Sequence, residues 1–241
     1  VIDLENKMFT HRPDCFGNLG VAREIAGIFN QPFEDPQWYW NLPTFSSADD
    51  VVLKTQNTVN NLVPRFMAVA MKNIAVKPSP YWLQATLTRV GIKPINNVVD
   101  VTNYVMHLTG QPLHAFDVDK LCKHSSELGI FPRMSKKGEK LLLLGDKEIE
   151  LTGEELVIST DRQAVALAGV MGGADTEVDD NTKSIIIECA TFDIYSIRRS
   201  SMRFGLFTDA VTRFSKGQSP LQNDRVLAYA MKMMNELAGA Q

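Results

Sequence analysis

Cysteine is scarce in this 241-residue chain and an excess of basic charge is missing. The three cysteines, Cys15, Cys122 and Cys189, are odd in number and widely spaced, with no Cys-x-x-Cys pair. That argues against a disulfide scaffold or a structural zinc site and suits a reduced cytosolic protein. Lys and Arg number 25 against 28 Asp and Glu, a formal net charge of -3. A chain with this balance does not hold a nucleic acid by bulk electrostatics, so any such contact has to be local or shared. No apolar run approaches a membrane span and no signal peptide opens the chain. Gly-Lys-Ser and Gly-Lys-Thr are absent, which removes a phosphate loop, and there is no internal repeat or low-complexity tract.

What is present is the composition of an ordinary globular protein, 44% hydrophobic and 22% charged, with enough chain to bury a substantial core. Val1 is not an initiator methionine, and Asn235 to Gln241 trail off a helical pattern without an obvious stop. The chain therefore reads as a piece of a longer protein.

The opening is helical, with Pro13 before Asp14 as N-cap and Leu19, Ala22, Ile25, Ala26 and Phe29 at helical spacing. Residues 36–50, with Trp-Tyr-Trp, prolines and serines, form a connecting segment. Strands are expected at 51–55, 66–74, 129–134, 141–144, 149–151, 156–159, 164–168 and 184–188. Four helices accompany them. Ser79-Pro80 caps one carrying Leu83, Leu87 and Val90, a second carries Val98, Val101, Val105 and Leu108 up to Gly110, a third runs from Asp193 to near Gly205, and a fourth starts at about Pro220. Antiparallel-looking strands with segregated helices make the fold class α+β.

Two stretches carry polar residues that their elements do not need. In residues 92–117, Thr102 and Asn103 interrupt an apolar helical pattern and His114 follows a Gly-Gln-Pro break that places it in a rigid loop. In residues 167–193, Glu188 follows Ile185, Ile186 and Ile187 at the end of a strand. Buried polar groups are costly unless partnered, so such residues point to a binding pocket. Each also has a plainer reading. Glu188 can pair with Arg198 or Arg199, His114 can be a structural hydrogen-bonder, and Thr102 or Asn103 can cap or back-bond its helix. Gly169, Gly172 and Gly173 can simply make a tight turn. Arg198, Arg199 and Arg203, like Lys136 and Lys137, can be a solvated face. His107 and His114 are seven apart with no Cys or carboxylate completing a ligand set, so no metal is assigned.

The words INNVVDVTNYVM, GQPLHAFD, LAGVMGG and GLFTDAVTRF, with HRPDCFGNLGVAREIAGIF upstream, together resemble the editing module of bacterial phenylalanyl-tRNA synthetase beta subunits. Nearly all of the chain is covered. The resemblance implies a layered β/β/α module of mixed, largely antiparallel strands with flanking helices. Residues 1–35 would be the remnant of a small helical domain, 36–50 a connector and 51–241 the editing module of two intertwined subdomains. The implied reaction is hydrolysis of tyrosine mischarged on the tRNA for phenylalanine, because a synthetic site rejects poorly an isostere that adds a hydroxyl.

By the same resemblance, Glu188, as an ionised acceptor, selects the tyrosine hydroxyl. His114 and Asn103 position water and ester, while Thr102, Gly169, Gly172, Thr208 and Ala210 shape the pocket. Arg198, Arg199 and Arg203 would meet the tRNA acceptor end. No cofactor is implied for this piece. ATP and Mg2+ belong to ligation by the parent enzyme, a cytoplasmic assembly of two alpha and two beta subunits. A docking module that has lost editing and a free-standing deacylase are the alternatives. Departures from the pattern are His11 for the usual Asn, Phe207 for Arg, and Ser215-Lys216 for Glu-Arg.

Overall fold

In a computed structural model, residues 7–41, 43, 45 and 52–241 are described. Two short 3-10 turns, Lys7–His11 and Pro13–Phe16, precede helix α1 (Asn18–Ile28) and the single turn α2 (Gln37–Trp40). Strand β1 (Arg65–Met71) leads to α3 (Tyr81–Arg89), α4 (Asn97–Thr109), β2 (His114–Asp117) and α5 (Val118–Lys123). A run of short strands follows: β3 (Phe131–Met134), β4 (Lys140–Leu143), β5 (Lys147–Glu150), β6 (Leu156–Ser159), β7 (Ala164–Leu167) and β8 (Met171–Gly172). The chain then forms β9 (Ile185–Thr191), α6 (Ile194–Phe204), α7 (Asp209–Phe214) and α8 (Asn223–Ala238).

The strands make an antiparallel sheet of order β1-β9-β2, a second of order β3-β6-β7-β8, and the hairpin β4-β5. Strand β9 is central and buried throughout. Because successive side chains on a strand point to opposite faces, Ile185, Ile187 and Cys189 enter one core while Ile186 and Ala190 enter another. The first core is closed by Leu83, Leu87, Val101, Val105, Leu227 and Met234 from α3, α4 and α8. On the other face Phe116 and Ile186 pack with Ile158, Val165 and Leu167 of the second sheet. The order is thus helices, sheet, sheet, an α+β fold. Each fully buried Ile or Leu stabilises this arrangement by roughly 1.5–3 kcal/mol.

Caps explain where the main helices sit. The Asn96 side chain accepts from the Val98 and Val99 amides, and α4 stops at Gly110, whose φ of 81° favours glycine. Asp193 accepts from Ser196 N to open α6, and Thr208 from Val211 N to open α7.

Several expectations are corrected. Asp14 is not an N-cap: α1 opens at Gly17, and Asp14 lies in the preceding 3-10 turn, where its carboxylate accepts from Arg12 at 3.0 and 2.9 Å. Pro80, not Ser79, is the N-cap of α3, and the Ser79 hydroxyl donates instead to buried Asp100 at 2.6 Å. The last helix does have a stop, Gly239 at φ 70°, after which Gln241 exchanges backbone hydrogen bonds with Lys72. Of the strand expected at 51–55, Val51 lies outside the described residues and only Lys54 makes an isolated bridge, to Gly129. His114 opens strand β2 and is not in a loop. Helices α5 and α7 were not expected, being too short to display a period.

Candidate functional site

A cleft with about 470 Å³ of free space, part of it open to solvent, lies between the two sheets and α7. Pro112, Leu113 and His114 form one wall, Ala168 to Gly172 another, and Phe192, Ala210 and Phe214 the aromatic end; Glu188 reaches in from β9. Strand pairing brings the two ionisable groups together. His114 of β2 lies directly opposite Glu188 of β9 in antiparallel register, and such partners keep their Cβ atoms about 4.5–5.5 Å apart on the same face.

Glu188 is 7% exposed, and its carboxyl makes no hydrogen bond or ion pair among the described residues. Arg198 and Arg199, its plainer partners by sequence, are exposed on α6. Burial alone pushes the Glu188 carboxyl up to about 8, which favours the protonated acid over the ionised acceptor expected from the sequence. Its carbonyl oxygen still accepts and its O–H donates. His114 is only partly buried as a residue, yet its Nε2 is sealed from solvent without a partner. Desolvation lowers the imidazole to about 4, leaving it neutral. Its ring stands edge-on to Phe116, 4.5 Å between centroids, and a Cβ on Gly172 would fall 2.4 Å from His114 Cε1. Gly172 is thus a close approach that any side chain would close.

Gly169 has a φ of 65°, and a Cβ there would meet Ile197, Phe192 and Phe214 at 2.7 to 3.1 Å. The Thr208 hydroxyl donates to Val170 O at 2.9 Å and accepts from Val211 N, which ties the start of α7 to the cleft edge. The cleft therefore gathers His114, Glu188, Gly169, Gly172 and Ala210, with Thr208 at its border. Thr102 and Asn103 do not line it. The Thr102 hydroxyl back-bonds to Val99 O at 2.8 Å, and Asn103 is partly buried with no side-chain hydrogen bond among the described residues. Arg203 is engaged by Glu154 and Glu155, at 2.6 and 2.7 Å. Phe207 is 80% exposed, and nothing in the structure explains its place there. Pro112, Leu113, Phe192 and Phe214 were not singled out from sequence. Their one signal was apolar bulk beside the polar words.

The Glu188 proton predicts a pH-dependent stability. In the folded chain it is held up to about pH 8, whereas an ordinary glutamate releases it near 4.5. Between these values the folded state binds more protons, so rising pH weakens the fold, by a few kcal/mol at most once above pH 8. His114 works oppositely and at lower pH, costing stability as pH falls from 6.5 towards 4. Comparing Glu188→Gln with its parent cancels the histidine. The variant's Tm advantage should grow from pH 5 to pH 8 and then level; an advantage that does not change with pH would refute the buried proton.

Among the described residues no group of three or more His, Cys, Asp or Glu is placed to hold a metal, and no helix is long and apolar enough to cross a membrane. The profile of the B3/4 domain family matches residues 62–239. The phenylalanine-tRNA ligase beta subunit of Solibacter usitatus is 41% identical over 98% of this chain and 30% of its own length, and that of Carboxydothermus hydrogenoformans 43% over 98% and 29%. The chain thus spans about three tenths of the relatives it matches. A crystal structure of an N-terminal fragment of the phenylalanyl-tRNA synthetase beta subunit from Pyrococcus horikoshii aligns with a TM-score of 0.43 at 14% identity, covering 86% of this chain and 59% of that one. With three quarters of its length matched by one domain profile, the chain belongs to the B3/4 domain family and is homologous to the corresponding part of phenylalanine-tRNA ligase beta subunits.

Proposed function

We propose that this chain is the editing part of a phenylalanine-tRNA ligase beta subunit and hydrolyses tyrosine mischarged on the tRNA for phenylalanine. One observation carries the reading: the Glu188 carboxyl and the unpartnered Nε2 of His114 belong to cross-strand neighbours that line one cleft, otherwise walled by apolar side chains and backbone. A tyrosine ring would lie against Ala210, Phe192 and Phe214. Its hydroxyl would meet Glu188, which a phenylalanine ring would leave buried and unpaired. Neutral His114, a weak base at its lowered pKa, would orient the attacking water and not remove its proton outright. Asn103 would support that positioning from α4, with Thr102 beside it. Residues 1–35 and 36–50 would be the domain remnant and connector, and 51–241 the editing module. Arg198 and Arg199, with Arg203 less available, would face the acceptor end. ATP and Mg2+ would serve ligation on the alpha subunit of a cytoplasmic assembly of two alpha and two beta subunits.

Tyrosyl-tRNA deacylation by this chain and by the complete ligase is the test. Both should hydrolyse tyrosyl-tRNA and spare phenylalanyl-tRNA. Activity in neither would sink the reading and leave a docking module. His114→Ala should slow hydrolysis about 10²-fold, the lower end for positioned catalytic groups, and Asn103→Ala by less, since it does not line the cleft. Unchanged rates in both variants would remove the two residues from the reaction.

A further inference from the structure

Two walls of the cleft come from separate parts of the chain, Pro112 to His114 beyond α4 and Ala210 with Phe214 on α7. One side chain ties both to the N-terminal turn. Arg213 is 6% exposed; its Nε donates to Phe16 O at 3.2 Å, and its Nη1 to the carbonyl and the carboxylate of Asp209, each at 3.0 Å. Its Nη2 lies 3.4 Å from Nδ1 of His107 on α4. Gln218, 4% exposed, backs this arrangement by donating to Pro13 O at 3.2 Å and to Arg213 O at 3.4 Å. The turn is also locked to the other wall. A Cβ on Gly17 would fall 2.3 Å from Gly110 N, so the two backbones touch just before Pro112.

A guanidinium this buried is expensive, and an apolar residue of similar volume often serves stability as well or better. Its rigid fork of donors, in contrast, fixes relative positions as no apolar side chain can. Here the fork spans the N-terminal turn, α4 and α7. Both cleft walls are continuous with those elements.

We propose that Arg213 is a positioning residue that sets the spacing between the α7 wall and the Pro112–His114 wall, with the Phe16 carbonyl as its anchor. It touches neither substrate nor reacting atoms. The N-terminal turn then belongs to the frame of the site. The substrate side of this proposal rests on the editing reading; the frame itself does not.

The test uses the complete ligase with Arg213→Met, which keeps much of the length but loses the fork, and Arg213→Lys, which keeps the charge but reaches fewer acceptors. Deacylation kcat and KM are measured for tyrosyl-tRNA and for the same tRNA carrying a ring-iodinated tyrosine, together with amide exchange across residues 112–114 and 209–214. Arg213→Met should raise KM for tyrosyl-tRNA about tenfold with a smaller loss in kcat, and shift preference towards the bulkier ring by about tenfold, since small misplacements carry such penalties. Exchange should quicken in both walls, and Lys should restore only part. A fall in kcat alone, equal for both rings, overturns the proposal, because general destabilisation would treat them alike. If the parent hydrolyses no tyrosyl-tRNA, the editing reading fails and exchange decides the frame: unchanged exchange in either wall ends it, and faster exchange in both upholds it.

Discussion

Tyrosyl-tRNA should survive exposure to a ligase carrying Glu188→Ala, while charging with phenylalanine proceeds at the parental rate. The expected effect is large because Glu188 acts on both substrates in opposite senses. For tyrosine, the carboxyl is the polar side chain facing His114 in an apolar cleft, and without it the phenol hydroxyl is left unpaired at a cost of about 1–3 kcal/mol. For phenylalanine, the substitution removes a buried group that the ring cannot satisfy. Sites built to bond a hydroxyl reject the analogue lacking it by about 10⁴ to 10⁵, so the tyrosine-to-phenylalanine ratio of deacylation should collapse by several powers of ten. Comparing initial rates on both esters measures it. A variant that clears tyrosyl-tRNA as fast as the parent would take Glu188 out of selection. Glu188→Gln separates charge from hydrogen bonding: a neutral amide retains donor and acceptor, as the protonated acid does, and should keep much of the selectivity.

Elements with strong local signals were legible in the sequence. Strand β6 at Leu156–Ser159 is an apolar run between turn residues, and α6 lies between the cap Asp193 and Gly205, as read. Strand β2 was missed because four residues, His-Ala-Phe-Asp, straight after Gly-Gln-Pro-Leu are too few to show alternation, and because the partner that makes them a strand is remote β9. Asp14 looks like a cap by type, yet two arginines compete for its carboxylate, Arg12 at 2.9 Å and Arg23 at 3.5 Å. The same division holds for the site. His114 and Glu188 stood out as polar residues in apolar settings, but their facing each other depends on sheet register, which no local pattern encodes. Nor could local pattern show that burial raises the pKa of the Glu188 carboxyl, whose surroundings come from both sheets. Arg213 went unnoticed because an arginine in a short amphipathic word reads as surface, and only the fold places Phe16 and His107 around it.

Ala210→Trp should abolish editing and leave the fold intact. The residue stands on α7 at the aromatic end of the cleft, near Phe192 and Phe214, whose rings meet edge to face at 5.1 Å. It is partly buried, so its side chain borders open space as well as packed atoms. An indole there would occupy the volume proposed for the tyrosine ring, and a substrate displaced by even about 1 Å loses about 10²-fold in rate. The glycines of the opposite wall cannot test the same point. Gly169 has left-handed backbone and a Cβ there would strike three side chains, while a Cβ on Gly172 would strike His114, so either change confounds blocking with strain. Overpacking a filled core costs about 1–3 kcal/mol, which for a chain of this size lowers Tm by about 2–4 °C per kcal/mol. Thermal melting and deacylation measured together therefore give separable answers. A Tm near the parental value with tyrosyl-tRNA left intact is the expected pair. A folded variant that still edits would move Ala210 outside the substrate's path, and a fall in Tm as large as overpacking predicts would make it core, with the ring bound elsewhere in the cleft.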